Sequence, residues 1–320
     1  MKNKTTSGLL AALAMGAVAL SAAEKTIVLG SDRFEVTHRV TVPALEQAGT
    51  LWLPLAGTDA FQSFESKLIT APAPWRQARD AAHGNDVLVM GAGPSQSGKV
   101  LEARYVVQRR EKSAHAGDAT LARRHLSPER LVPRDETFVT LARESTRGAQ
   151  DDLARGRALY RHVLEKMRYD KSGVGWGRGD ALFASRVCAG NCTDFHAYFI
   201  ALCRALDIPA RFAIGLTIPA DRDEGVVQGY HCWAEFFADG KWVPVDISEA
   251  AKHPELAAYY FGHHPANRFE ISLGRDIEIQ PAPAAGPFNF LFAPLLEVEG
   301  KSVPVQAEFH FRRLKAVASK

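Results

Sequence analysis

The sequence predicts an α+β protein in which a β-sandwich precedes a second unit that mixes helices with strands. Three observations carry this. From Thr26 to about Arg110 the apolar runs are short and broken by proline and glycine, the pattern of β structure. Two later stretches, 151–168 and 192–206, set apolar residues at helical spacing. Around and after residue 211 the strand-like runs return, two of them flanking an Asp-Gly pair.

The N-terminus comes first and stands apart. Lys2 and Lys4 precede an apolar run from Leu9 to Leu20, and Ser21-Ala22-Ala23 supplies small residues for cleavage. Residues 1–23 therefore read as an export signal, with the mature chain starting at Glu24. The run is shorter than the roughly 20 residues a bilayer span needs, and no later segment is long and apolar enough, so no integral membrane segment is expected after cleavage. The expected location is periplasmic or secreted. Losing Lys2 and Lys4 lowers the formal charge from +3 to about +1, which gives no argument for a nucleic-acid partner. The basic stretch from Arg109-Arg110 to Arg123-Arg124 lacks interleaved aromatic residues and reads as a solvated connection.

With 320 residues, 46% hydrophobic and 23% charged, the chain has globular proportions and length for two domains. Residues 24–125 form the expected β-sandwich, with strands in Phe34–Val40, Leu51–Leu53, Val87–Met90 and Leu101–Val107 and a turn at Gly91-Ala92-Gly93-Pro94. The polar, proline-marked segment 111–134 holds the boundary, and residues 126–285 form the second domain. Its first helix has Asp151 and Asp152 in the first turn, Tyr160, Val163, Leu164 and Met167 on one face, and Lys166 and Arg168 at its end, in agreement with the helix dipole. The loop Gly173–Gly179 follows no strand and precedes no Gly-Lys-Ser/Thr, so it is not a phosphate loop. A second helix runs from about Cys192 to Leu206 on Phe195, Tyr198, Phe199, Leu202 and Leu206, and Pro209 stops it. Strands follow in Arg211–Ile218, Tyr230–Phe237 and Trp242–Val245. Residues 286–320, with strands at Leu295–Val298 and Val303–Arg312, are expected to return onto the core.

Asn191 is a good N-cap, which makes Cys192 the first helical residue, where unpaired N–H groups and the helix dipole favour a thiolate. Asp194 in the same turn opposes this, so a base is needed nearby. Asp239-Gly240 signals a two-residue hairpin turn. Counting outward from it, Trp233 faces Asp246 and His231 faces Ser248, so His231 and Asp246 become diagonal neighbours on one face of the sheet. Asp246 could then orient His231, and the other ring nitrogen could take the proton from Cys192.

Gly190-Asn-Cys-Thr-Asp-Phe-His196, Gly229-Tyr-His-Cys-Trp-Ala-Glu235 and Trp242-Val-Pro-Val-Asp246 resemble, in that order, the Cys, His and Asp blocks of the bacterial transglutaminase-like superfamily. Arg33-Phe-Glu-Val-Thr and Leu51-Trp-Leu-Pro-Leu look like the β domain that precedes this module in exported members. The resemblance implies a papain-like fold with the nucleophile helix packed on an antiparallel sheet. It also implies acyl transfer through a thioester, ending in transamidation, amide hydrolysis or proteolysis, on a peptide, protein or other amide-containing substrate and without a cofactor. Cys192, His231 and Asp246 are the implied triad. Trp176 and Asn191 are the candidates for the oxyanion site or substrate lining.

Two other classes use the same residues. A zinc centre could be drawn from Cys188, Cys192 and His196 with His231 or Cys232, although it matches no zinc signature and leaves Asp246 unexplained. A catalytically inactive binding protein on the same fold is the other. Cys188 reads as an inert neighbour or as a resolving thiol for Cys192. Cys203 and Cys232 read as core residues or as one disulfide. Tyr230 and Trp233 read as packing residues, and His263-His264 with Asn267-Arg268 as pocket lining or loop caps.

Overall fold

The computed structural model describes residues 26–315; the export pattern over residues 1–23 lies outside them. Alternation decides the first sheet. In Ser31–Thr41 the apolar Phe34, Val36 and Val40 are buried, which sends that face inward. The strand sits centrally in an antiparallel sheet ordered Glu224–Val227, Gln306–Arg313, Ser31–Thr41, Val100–Arg110, Gln62–Thr70. A second antiparallel sheet is ordered Lys301–Val303, Leu295–Val298, Gly49–Leu55, Asp86–Ala92, Trp75–Arg79. Phe34, Val36 and Tyr105 of the first and Leu51, Leu53 and Met90 of the second share one apolar core. Leu216 and Phe269 of a third sheet reach the same core.

That third sheet is antiparallel in the order Arg268–Leu273, Ala210–Thr217, His231–Ala238, Lys241–Val245, His115–Ala116. Against it lies the helix Cys192–Ala205, whose residues from Cys192 to Arg204 are all buried. A helix apolar on nearly every side must be enclosed. Helices Glu136–Ser145, Asp152–Lys166 and Ala181–Val187 complete the enclosure around Phe195, Phe199 and Leu202. The molecule is thus a mixed α+β fold of several antiparallel sheets and helices. Among the described residues, no helix is long and apolar enough to cross a membrane.

The turn chemistry holds. Asp239 and Gly240 both have positive φ, 50° and 74°, and Ala238 pairs with Lys241. Other segments depart from the reading. Residues 111–134 are not simply a linker, since Lys112–Ser113 pairs with His263–His264 and His115–Ala116 adds an edge to the third sheet. Nor is the basic stretch there solvated throughout. Arg109 and Lys112 are buried, and Lys112 Nζ lies 3.0 Å from Asp59, 3.2 Å from Glu270 and 3.7 Å from Glu235. A charge this deep needs several opposite partners, and the fold supplies them from separate strands and loops. The strands Gln62–Thr70 and Trp75–Arg79 go unread because they are polar edge strands with few buried side chains.

Candidate functional site

The site forms where the Cys192 helix begins against the third sheet. Asn191 caps the helix, its Oδ1 accepting the Thr193 N–H at 3.0 Å. Asp194 completes the cap from the third position by accepting the Asn191 N–H at 3.0 Å. Its two oxygens also take the N–H groups of Gly177 at 2.7 Å and Gly179 at 3.0 Å. That contact explains the glycine loop, where Gly173, Gly175, Gly177 and Gly179 all have positive φ and the backbone, not a side chain, turns inward. Burial keeps Asp194 above the ordinary carboxylate range in spite of these donors. Asp194 is therefore fully engaged as a loop anchor.

Cys192 is the first residue of the helix and is 3% exposed. Burial pushes its thiol up, but hydrogen bonds from Cys232 and His231 and the charge of His231 outweigh that and hold it well below the ordinary thiol range. His231 begins the strand His231–Ala238. Its Nε2 donates to Asp246 Oδ2 at 2.6 Å, which leaves Nδ1 as the ring nitrogen not used by the carboxylate. Burial disfavours the imidazolium, yet the Asp246 carboxylate overcomes it and lifts His231 to about 9.

Asp246 is fully buried and is itself a helix cap. It accepts the Glu249 N–H and the Ser248 hydroxyl on Oδ1, both at 3.1 Å, at the start of Ile247–Lys252. On Oδ2 it accepts both His231 and, at 2.7 Å, Arg268 Nη2. Burial pushes the carboxyl up, and His231 and Arg268 reverse this, holding it well below its usual range. Arg268 is buried beneath the Trp233 ring and also bonds Thr217 Oγ1.

His196 links the two halves. Its Nε2 accepts the Ile247 N–H at 3.1 Å, so its proton resides on Nδ1, which donates to the Cys192 carbonyl at 2.7 Å. This fixes a neutral ring and ties the start of one helix to the start of the other. Burial keeps it neutral against the pull of Asp246. Glu249 Oε1 stands 4.0 Å from His231 Nδ1 and pairs with Lys252 at 2.7 Å, and Lys252 covers the Tyr169 ring.

Cys192, His231 and Asp246 are thus brought together, with Asn191 beside them as a cap. Trp176 lies half-buried in the glycine loop, and among the described residues no hydrogen bond fixes its indole. Trp233 is a buried packing residue. His264 and Asn267 serve backbone carbonyls, at Val245 and at Thr26 and Ile218. The four cysteines are thiols. Cys188 Sγ bonds the Ser185 carbonyl, and Cys203 is buried in the helix, so neither pairing drawn from the sequence is formed. The sequence reading assigned no role at Cys192 or Asp246 to Arg268, Glu249 or Tyr230, and it placed Cys232 there only as a zinc candidate. It noted His196 only as a zinc candidate, although its spacing of four from Cys192 was a usable signal.

Residues 139–247 match the family model of the transglutaminase-like superfamily. An uncharacterized protein of Haemophilus influenzae is 31% identical over 181 residues, which is 46% of this chain and 49% of that one. The chain therefore spans about half the length of that curated relative. The crystal structure of a provisionally assigned cysteine protease from Cytophaga hutchinsonii superposes with a TM-score of 0.62 at 18% identity, over 90% of this chain and 93% of the other; the fold is shared. The periplasmic domain of TgpA from Pseudomonas aeruginosa is a more distant likeness, with a TM-score of 0.35 at 18% identity over 74% of this chain and 93% of that domain.

Proposed function

We propose that the chain, whose residues 139–247 match the family model of the transglutaminase-like superfamily, is a cysteine-nucleophile acyl-transfer enzyme acting on an amide-containing substrate outside the cytoplasm. The observation that carries this is the His231 ring, bound through Nε2 to buried Asp246 at 2.6 Å, with Cys192 at a helix start and its thiol held well below the ordinary range by His231. Cys192 attacks the carbonyl as thiolate. His231, as imidazolium, gives its proton to the leaving amine, and the resulting thioester is released to water or to a second amine. Asp246 fixes the ring tautomer and balances the imidazolium charge. The two-domain division at residues 111–134 belongs to the same reading, as does export through residues 1–23.

The zinc alternative fares worse on chemistry. Both nitrogens of His196 are already engaged, with Ile247 N–H and the Cys192 carbonyl, so the ring has no lone pair to give a metal. The test is limiting iodoacetamide on the reduced mature protein near neutral pH, read by intact mass with zinc assayed in parallel. Rapid single-site labelling that disappears in Cys192→Ala and slows in His231→Ala is the expected result. Slow, unselective labelling indifferent to His231→Ala, or stoichiometric zinc, would overturn it.

A further inference from the structure

Acyl transfer places negative charge on the substrate carbonyl oxygen, and the residues assigned so far supply nothing directed at it except the backbone. The Cys192 N–H is at the first helical position and has no acceptor among the described residues. One donor is a poor oxyanion site. A second one stands beside it.

Tyr230 precedes His231, and its phenol oxygen hydrogen-bonds Asn191, the residue before the nucleophile. Asn191 Oδ1 is committed to the Thr193 N–H, which fixes the amide orientation, so Asn191 Nδ2 must be the donor to Tyr230 Oη at 2.8 Å. The phenol oxygen is the acceptor in that bond. Its own hydrogen is not used in that bond; the Thr193 hydroxyl is the phenol's other side-chain partner, and an oxyanion is a stronger acceptor than a hydroxyl. The ring is held by Phe290 and Phe292, with centroids at 6.0 and 5.6 Å. A side chain at Gly177 would come within 3.8 Å of the phenol oxygen and 3.4 Å of Asn191 Nδ2, so the loop is bare where the hydroxyl sits. Burial raises the phenol above its ordinary range, and the negative charge of Cys192 raises it further. The phenol thus stays protonated and stands within the field of the sulfur.

We propose that Tyr230 is a catalytic residue, its O–H donating, together with the Cys192 N–H, to the oxyanion formed when Cys192 attacks a carbonyl. The assignment rests on the acyl-transfer reading above. Asn191 is then a positioning residue that aims the hydroxyl and is not itself an oxyanion donor. Trp176 is displaced from that role.

Two reactions of the same sulfur separate this proposal from a packing role. With p-nitrophenyl acetate, the Cys192 thiolate forms a bond to the carbonyl carbon, the C=O electron pair moves onto oxygen, and collapse of that oxyanion expels p-nitrophenolate. With iodoacetamide, the thiolate displaces iodide at carbon and no oxyanion arises. Tyr230→Phe should slow acetylation of Cys192 on the order of 10²-fold, the usual cost of one oxyanion donor, while leaving alkylation unchanged. If both reactions slow together, Tyr230 merely supports the helix cap; if neither slows, it has no role. Trp176→Phe serves as the comparator, since a selective loss there with none in Tyr230→Phe would assign the oxyanion to the indole. Wild-type alkylation that is slow and indifferent to His231→Ala would sink the acyl-transfer reading itself, independently of Tyr230.

Discussion

At Cys192 the lowered thiol pKa is not the product of helix position alone. Burial works against it, and Cys232 and His231 counter that by hydrogen bonding to sulfur. Cys232 is the unforeseen member of this set, read from sequence as core, disulfide or zinc ligand. An S–H is a weak donor, so Cys232→Ala should raise the Cys192 pKa and slow its alkylation in mildly acidic buffer by roughly tenfold or less, corresponding to about 1 kcal/mol. Alkylation rates compared with Cys188→Ala, which should change nothing, check this. His231 has the opposite sign. Its folded pKa of about 9 lies above the ordinary value of 6.5, so its stabilising contribution is complete below the ordinary value and is lost as pH rises through about 9. Urea unfolding should show that alkaline loss in the wild type and a flatter profile in His231→Ala.

At the scale of elements, the hairpin and the short helix after it do most of the positioning. Asp239-Gly240 could be read directly, because two positive-φ residues between apolar runs leave one tight turn as the solution. Strand alternation then brings Asp246 beside His231. Alternation could not show that Asp246 also caps Ile247–Lys252, or that Arg268 arrives from a strand at the far edge of the sheet, since no short turn links that strand to its neighbour. Asp246→Ala should therefore do double damage. It strands Arg268 as a buried cation, at about 3–5 kcal/mol, and it slows Cys192 alkylation at neutral pH towards the His231→Ala rate. Gly240→Val, in contrast, forces a β-branched residue into φ 74°, at a cost of about 1–2 kcal/mol in denaturant, with alkylation of the folded protein unchanged.

Across the whole molecule, the sheets are joined by chemistry that composition hides. Lys112 is buried among Asp59, Glu235 and Glu270. A sequence reader places such a lysine on the surface because solvation is its usual fate, and only tertiary pairing reverses that. The same limit explains why Glu224–Val227 and Gln306–Arg313, distant in sequence from Ser31–Thr41, could not be placed in its sheet: long-range pairing leaves no local mark. Lys112→Met should destabilise the protein by about 3–5 kcal/mol by leaving the carboxylates uncompensated. Thermal unfolding reads the loss, and the Cys192 alkylation rate of the folded fraction should not move. Burial opposes ionisation of Glu235, but Arg211 and Lys112 hold it below its usual range. Its contribution is therefore present above the ordinary carboxylate range and is lost as pH falls through the lower folded value.

The most direct test of the account is the pH dependence of Cys192 alkylation in the wild type and in His231→Ala. The account predicts that the wild-type rate has already levelled off below neutrality, because the thiolate forms beside the imidazolium. In His231→Ala the rise should move to the ordinary thiol range near pH 8.5. A wild-type rate that climbs only through that ordinary range and superimposes on the His231→Ala curve would contradict it.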